Sequence, residues 1–319
     1  MSRLLAGTLM ACAASVVLAA QSAYVPERVL ATGTGTMTDF EAMLADLASA
    51  DVIFLGEQHD DPNTHRLELA VLQGLQRRRG DLVLSLEMFE RDVQEPLEHF
   101  LMGHTPEQEF LAGARPWPRY DTDYKPLVDF AMAHQWSVVA ANVPRPIANE
   151  ISKEGLGVLA GKPDAERGWF ARDLQCPLDG EYFDRFGQAM GGHPAEGQTV
   201  AAQRQMVERF YQAQCVKDET MAESIAGAYT AAAAGAKRPA VVHVNGAFHS
   251  DFHLGTAERV RRRLPAQRVV VVTMMPVANL DTIAPTDDDR RRADYLVHDR
   301  VGVRTARGVR DHRTVMTIL

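Results

Sequence analysis

The chain has 319 residues and a net charge of −8, with 46% hydrophobic and 24% charged side chains. That length suits one large domain or two small ones, and the composition is that of an ordinary soluble fold able to bury a sizeable core. The acidic balance argues against a phosphate-binding face, so no nucleic-acid partner is expected. The three basic triplets, Arg77–Arg79, Arg261–Arg263 and Arg290–Arg292, read as solvated helix ends.

The first residues read as an export signal over residues 1–20. Arg3 supplies the positive charge, Leu4 to Ala20 the apolar stretch, and Val17-Leu18-Ala19 with Ala20 the small residues for cleavage. A single mature domain over residues 21–319 is expected. Leu9-Met10-Ala11-Cys12 loosely resembles a lipoprotein box, so a lipid anchor at Cys12 is the alternative. The apolar stretch runs on past Cys12, which favours simple cleavage. The expected location is periplasmic, or alternatively membrane-tethered. Removing the signal leaves Cys176 and Cys215, a candidate pair in an oxidising compartment. Sequence alone does not bring them within reach.

Along the chain, strands alternate with helices, the pattern of a mainly parallel sheet flanked by helices on both faces. Asp51 to Gly56 is a continuous apolar run, a buried central strand. Asn63 to Arg79 has helical periodicity through Leu67, Leu69, Ala70, Leu72 and Leu75. Asp81 to Leu86 is a second strand, Arg91 to Met102 and Asp123 to His134 are helices, and Trp136 to Ala141 is a third strand. Pro144 stands at the start of another helix. A helical insertion is expected over about 155–235, with a long helical segment from Thr199 to Ala234. Ala240 to Asn245 is a strand, Thr256 to Leu264 a helix and Arg268 to Met275 a strand. Asp287 to Arg292 reads as a charged loop, and Ala293 to Val297 as a last edge strand.

Two tetrapeptides carry the main chemical signal. Gly56-Glu57-Gln58-His59 follows the first strand, and Gly246-Ala247-Phe248-His249 follows the Ala240 strand. In a parallel sheet such turns lie at the carboxyl ends of the strands, where sites of open α/β folds form. Glu87, just after Leu86, and Asn142 with Arg145, after the third strand, have the same placement. Four strand ends therefore deliver polar side chains to one predicted edge. His59, Glu87 and His249 could hold a divalent metal. With Glu57 they could equally form a proton-transfer set. His253, one helical turn past His249, and His193 are further candidates. No Gly-x-Ser-x-Gly elbow and no Cys-x-x-Cys-His occurs, which argues against an ordinary serine hydrolase and excludes covalent c-type haem.

Taken in order, Gly-Glu-Gln-His-Asp-Asp, Leu-Glu-Met-Phe-Glu-Arg, Asn-Val-Pro-Arg and Asn-Gly-Ala-Phe-His resemble the ChaN-like haem-binding branch of the Tiki superfamily, related to erythromycin esterases. The similarity runs from about Asp51 to Met275. It implies an erythromycin-esterase/ChaN-like α/β fold and haem as the bound group, in haem-iron uptake or storage. An outer-membrane haem receptor system and a homodimer are the partners it suggests. Haem needs an axial ligand, an apolar slot and cations for its propionates. The stretch Trp117 to Tyr124 resembles one shared by the family and offers Tyr120 and Tyr124 as ligands. His59 and His249, with Asn142 and Arg145, complete the expected haem-binding set. Tyr182 and Tyr211 have less support. Enzymatic relatives imply the alternative, a metal-dependent or His/Glu-based hydrolase using Glu57, His59, Glu87 and His249.

Overall fold

Two runs that are buried on both faces set the architecture: β3 (Val52–Glu57) and, beside it, β6 (Ala240–Gly246). A strand can be apolar at every position only if both faces of its sheet are covered. The computed structural model describes residues 25–191, 199–235 and 240–302; the export signal, Cys12 and His193 lie outside them.

In chain order the remaining elements are β1 (Glu27–Ala31), β2 (Thr36–Thr38), α1 (Phe40–Leu47), α2 (Pro62–Arg79), β4 (Leu82–Glu90), α3 (Gln94–Leu101), α4 (Glu107–Ala114), α5 (Tyr120–Asp123), α6 (Lys125–Ala133), β5 (Ser137–Asn142) and α7 (Arg145–Glu154). They continue with α8 (Gly180–Ala189), α9 (Val200–Ala233), α10 (Gly255–Arg263), β7 (Val269–Val277), α11 (Asp287–Arg292) and β8 (Tyr295–Arg300). One sheet orders its strands β2-β1-β8-β7-β3-β6-β4-β5. From β8 to β5 neighbours run parallel, and β1 and β2 pair antiparallel at one side. The expected α/β class with a mainly parallel sheet is what the chain adopts.

Alternation along the strands divides the core in two. Ile53 and Leu55 pack with Leu44, Leu72, Leu97 and Leu127 of the helices on one face. Val52 and Phe54 pack with Ile225, Tyr229 and Val260 on the other. Helix α2 begins where Asp61 accepts from the Asn63 amide at 2.7 Å, with Pro62 at its first position. Gly74 lets α1 approach closely, because a Cβ there would lie 2.3 Å from Leu44 Cδ1.

Three segments differ from the sequence reading. Residues 287–292 form helix α11 rather than a loop, started by a capping box between Thr286 and Asp289. The last strand is β8, over Tyr295–Arg300, and it is internal rather than an edge. The hairpin β1–β2, which covers its outer side, gives little apolar signal, since only Val29 and Leu30 are buried in it. The 155–235 stretch divides in two: Leu156 to Ala189 carries short helices, whereas α9 is part of a sheet-covering layer through Ala222, Ile225 and Tyr229. Cys176 and Cys215 form a disulfide with a Cα separation of 5.7 Å, fastening the short helices to α9. The arginine triplets do end helices α2, α10 and α11. Among the described residues no helix is long and apolar enough to cross a membrane.

Candidate functional site

Strand register assembles the site. Glu57 lies level with Gly246, Gly56 with Asn245, and Val244 with Leu86, so β3, β6 and β4 end in one row. Gly56 permits close approach, since a Cβ would crowd the Ala247 Cα at 3.1 Å. The turn after β6 can therefore fold over the end of β3, and His59, Glu87 and His249 come together.

Glu87 is buried, and one carboxylate oxygen accepts the Gly246 amide at 2.8 Å. The other lies 3.2 Å from His249 Nε2. His249 Nδ1 lies 2.7 Å from Asp218 on α9, and Asp218 also accepts from Tyr182 at 2.7 Å and Thr256 at 2.8 Å. Burial alone would depress His249, but Glu87 and Asp218 outweigh it and hold the imidazole at about 10. Burial likewise pushes Glu87 up, and His249 overrides it, so the carboxyl sits well below its ordinary range. The result is a buried imidazolium between two carboxylates.

His59 stands at the mouth. Its Nδ1 lies 2.5 Å from Glu57 Oε1, and its side chain is 35% exposed. Its ring meets Trp117 edge-on at 5.0 Å. Nε2 makes no hydrogen bond among the described residues and lies beside the bare Cα of Gly246, where a Cβ would sit 2.7 Å away. Burial opposes the charge on His59, but Glu57 and then Glu87 raise its pKa above the ordinary value. Glu57 also accepts from the Tyr124 hydroxyl at 2.8 Å.

Several expected roles change with the geometry. Both nitrogens of His249 are engaged by carboxylates, so it has no lone pair to give a metal, and the set His59, Glu87, His249 does not form a ligand cage. Asn142 is buried and fully used: it donates to the Glu87 carbonyl at 3.1 Å and accepts from the Val143 amide at 2.9 Å. It positions Glu87 rather than facing a ligand. Tyr124 is buried with its hydroxyl on Glu57, and Tyr120 is buried beside Phe89 with a hydroxyl that has no partner among the described residues. Burial, then nearby carboxylates, raise both phenols far above their ordinary range. Neither is presented as a tyrosinate ligand. Arg145 is 43% exposed and lies 3.9 Å from Glu90. His253 turns away, because Phe252 takes a left-handed backbone with φ 59°, and lines a separate open cavity with Arg268 and Asp294. Tyr211 packs against Tyr182 in the small apolar cluster under α8.

Residues that the motifs did not flag complete the network. His65 and Glu68 are buried on α2, and His65 Nδ1 lies 3.2 Å from Glu68 and 3.6 Å from Glu57. Asp218 and Gln214 are buried on α9. Their signal was available: each is a polar residue at a position that helical periodicity assigns to the core face.

The sequence pattern described as haem-binding uptake, Tiki superfamily, ChaN, matches residues 43–260. In fold, the chain is similar to ChaN of Campylobacter jejuni, solved as cofacial haem binding: TM-score 0.63 at 18% identity, covering 86% of this chain and 97% of that one. A Bacillus cereus protein and the type III effector HopBA1 match at TM-scores of 0.43 and 0.44, each at 10% identity and over 82% of this chain, and 94% and 92% of theirs. No curated protein matches the chain. With the family pattern spanning most of the described fold, from α1 to α10, the chain belongs to the haem-binding uptake family ChaN of the Tiki superfamily.

Proposed function

We propose that this chain is an exported protein of haem-iron uptake that binds haem at the carboxyl edge of its sheet, with His59 as the iron-facing residue. The arrangement of His59 carries the reading. A histidine that ligates iron needs one nitrogen free and the other held by an acceptor that fixes the ring. Glu57 holds Nδ1, and Nε2 makes no hydrogen bond among the described residues. Trp117 supplies an apolar wall beside the ring. Arg145, 43% exposed, is a cation suited to a propionate. The Cys176–Cys215 disulfide fits an oxidising compartment outside the cytoplasm. An outer-membrane haem receptor system is the corresponding source of cargo. Cofacial haem in the Campylobacter protein supports a homodimer as the loaded form.

The test is a haemin titration followed by absorption spectroscopy. Stoichiometric uptake is expected, with His59→Ala weakening it by about tenfold or more, the scale on which loss of a metal-site contact is felt. Tyr120→Phe and Tyr124→Phe are expected to leave the Soret position unchanged. A Soret band that moves in either tyrosine variant and not in His59→Ala would reassign the ligand. Metal-dependent hydrolysis lost in both His59→Ala and Glu87→Gln would replace the binding function with an enzymatic one.

A further inference from the structure

Behind Glu57, away from the mouth, lies a second polar cluster that the haem reading does not use. It is formed by Glu57 at the end of β3 with His65 and Glu68 on α2, all three buried. One ligand atom from each lies within 4.8 Å of the others. Two features show that the cluster faces inward on a point. Glu57 Oε2 and Glu68 Oε1 are buried and have no hydrogen-bond donor among the described residues. His65 Nε2 lies 3.2 Å from the His59 carbonyl, an acceptor only, so the ring proton belongs there. With the ring neutral, that tautomer leaves the Nδ1 lone pair directed at Glu68 and Glu57.

A lone pair and two carboxylates cannot face one another in a dry space with nothing positive between them. Either protons or a cation must stand there. The distances suit a cation. Ligands about 2.1 Å from a tetrahedral ion are about 3.4 Å apart, and the two edges from His65 Nδ1 are 3.2 Å to Glu68 and 3.6 Å to Glu57. Charge also balances: a divalent ion neutralises the two glutamates with His65 uncharged, while nearby Asp123 has Arg119 at 3.1 Å. Asp123 lies 3.5 Å from His65 Nε2, a carboxylate behind a histidine as in many metal sites.

We infer that Glu57, His65 and Glu68 form a buried site for a divalent first-row cation, separate from the haem-facing edge and joined to it through the Glu57 carboxylate. Mixed oxygen and nitrogen donors favour zinc, manganese or iron(II) over calcium or magnesium. Glu57 would then bridge, with Oε1 orienting His59 and Oε2 holding the ion. The site goes beyond haem binding and is tested without haem.

The experiment takes haem-free, chelator-stripped full-length protein and titrates it with zinc and with manganese by calorimetry, with elemental analysis after gel filtration and thermal melts alongside. One equivalent retained and a raised Tm are expected for the wild type and for His253→Ala, which removes a partly exposed histidine elsewhere. Glu68→Gln and His65→Gln are expected to bind at least about tenfold more weakly. Glu68→Gln keeps the shape of the side chain, and its melt in chelator reports whether it is folded. A wild-type Tm indifferent to metal and chelator, with no metal retained, would show that protons alone hold the cluster together. Retention undiminished in both folded variants would place any ion elsewhere. Either result overturns the inference.

Discussion

His249 Nδ1 lies 2.7 Å from Asp218, which ties the turn after β6 to the middle of α9. Asp218 has no counterpart among the strand-end motifs, yet it supplies half of the charge around the imidazolium. Asp218→Asn keeps the shape and removes the charge. The expected loss is about 3 kcal/mol of stability, the scale of a broken buried ion pair, read from urea denaturation. The His249 pKa, followed by NMR, is expected to fall from about 10. Wild-type stability together with an imidazole still charged in mild alkali would remove Asp218 from this role.

Stability is expected to decline on the alkaline side. His249 is held at about 10 against an ordinary 6.5, its burial outweighed by Glu87 and Asp218. A raised histidine pKa gives stability that is complete below the unfolded value and is lost as pH rises through the folded one. Asp299, pushed by burial and by Asp61 from 3.8 to about 7, has its own effect finished only by about pH 8. The window from about pH 8 to pH 10 therefore reports on His249. Urea midpoints that stay flat across it would show that the His249 imidazolium is not held as described.

Gly246→Ala tests the mouth. The added methyl carbon would lie 2.7 Å from His59 Nε2 and 2.8 Å from Cε1, so the ring must leave its place beside Glu57. Haemin affinity is expected to drop by about tenfold. Because His59 is partly exposed and can swing outward, folding stability should fall by no more than about 1–2 kcal/mol. Undiminished haemin affinity in a folded variant would mean that the ring position does not matter for binding.

Reduction of the Cys176–Cys215 disulfide is expected to cost about 3–4 kcal/mol, given a separation of 39 residues. Thermal melts with and without reductant measure it. The loss should be local at first, opening the α8 cluster around Tyr182 and Phe186 before the sheet. A melt insensitive to reductant, with both thiols shown to be free, would mean that the short helices hold without their staple.

The parallel sheet was legible because β3, β4, β6 and β7 are apolar runs of strand length separated by amphipathic helices. The shared edge for His59, Glu87 and His249 followed from a general rule about where parallel strands end. The sequence was least informative where the signal is non-local. Nothing in a one-dimensional pattern pairs Asp218 with His249, residues that meet only because α9 crosses the sheet. Tyr120 and Tyr124 show the opposite limit. Their aromatic segment marks an important place, but only packing reveals that one phenol is sealed off and the other is engaged by Glu57. His65 and Glu68 lay hidden within a helical periodicity read for its leucines alone.

Strand β8 fills the gap between β7 and β1. Until about residue 300 has left the ribosome, the amino-terminal hairpin has no sheet to join, and the parallel core ends in an open row of amide and carbonyl groups along β7. The sheet can be completed only after Tyr295–Arg300 has been made. The amino-terminal hairpin therefore joins the sheet last. A chain cut short before Tyr295 would keep the edge that carries His59, Glu87 and His249 while exposing β7 as a template for aggregation.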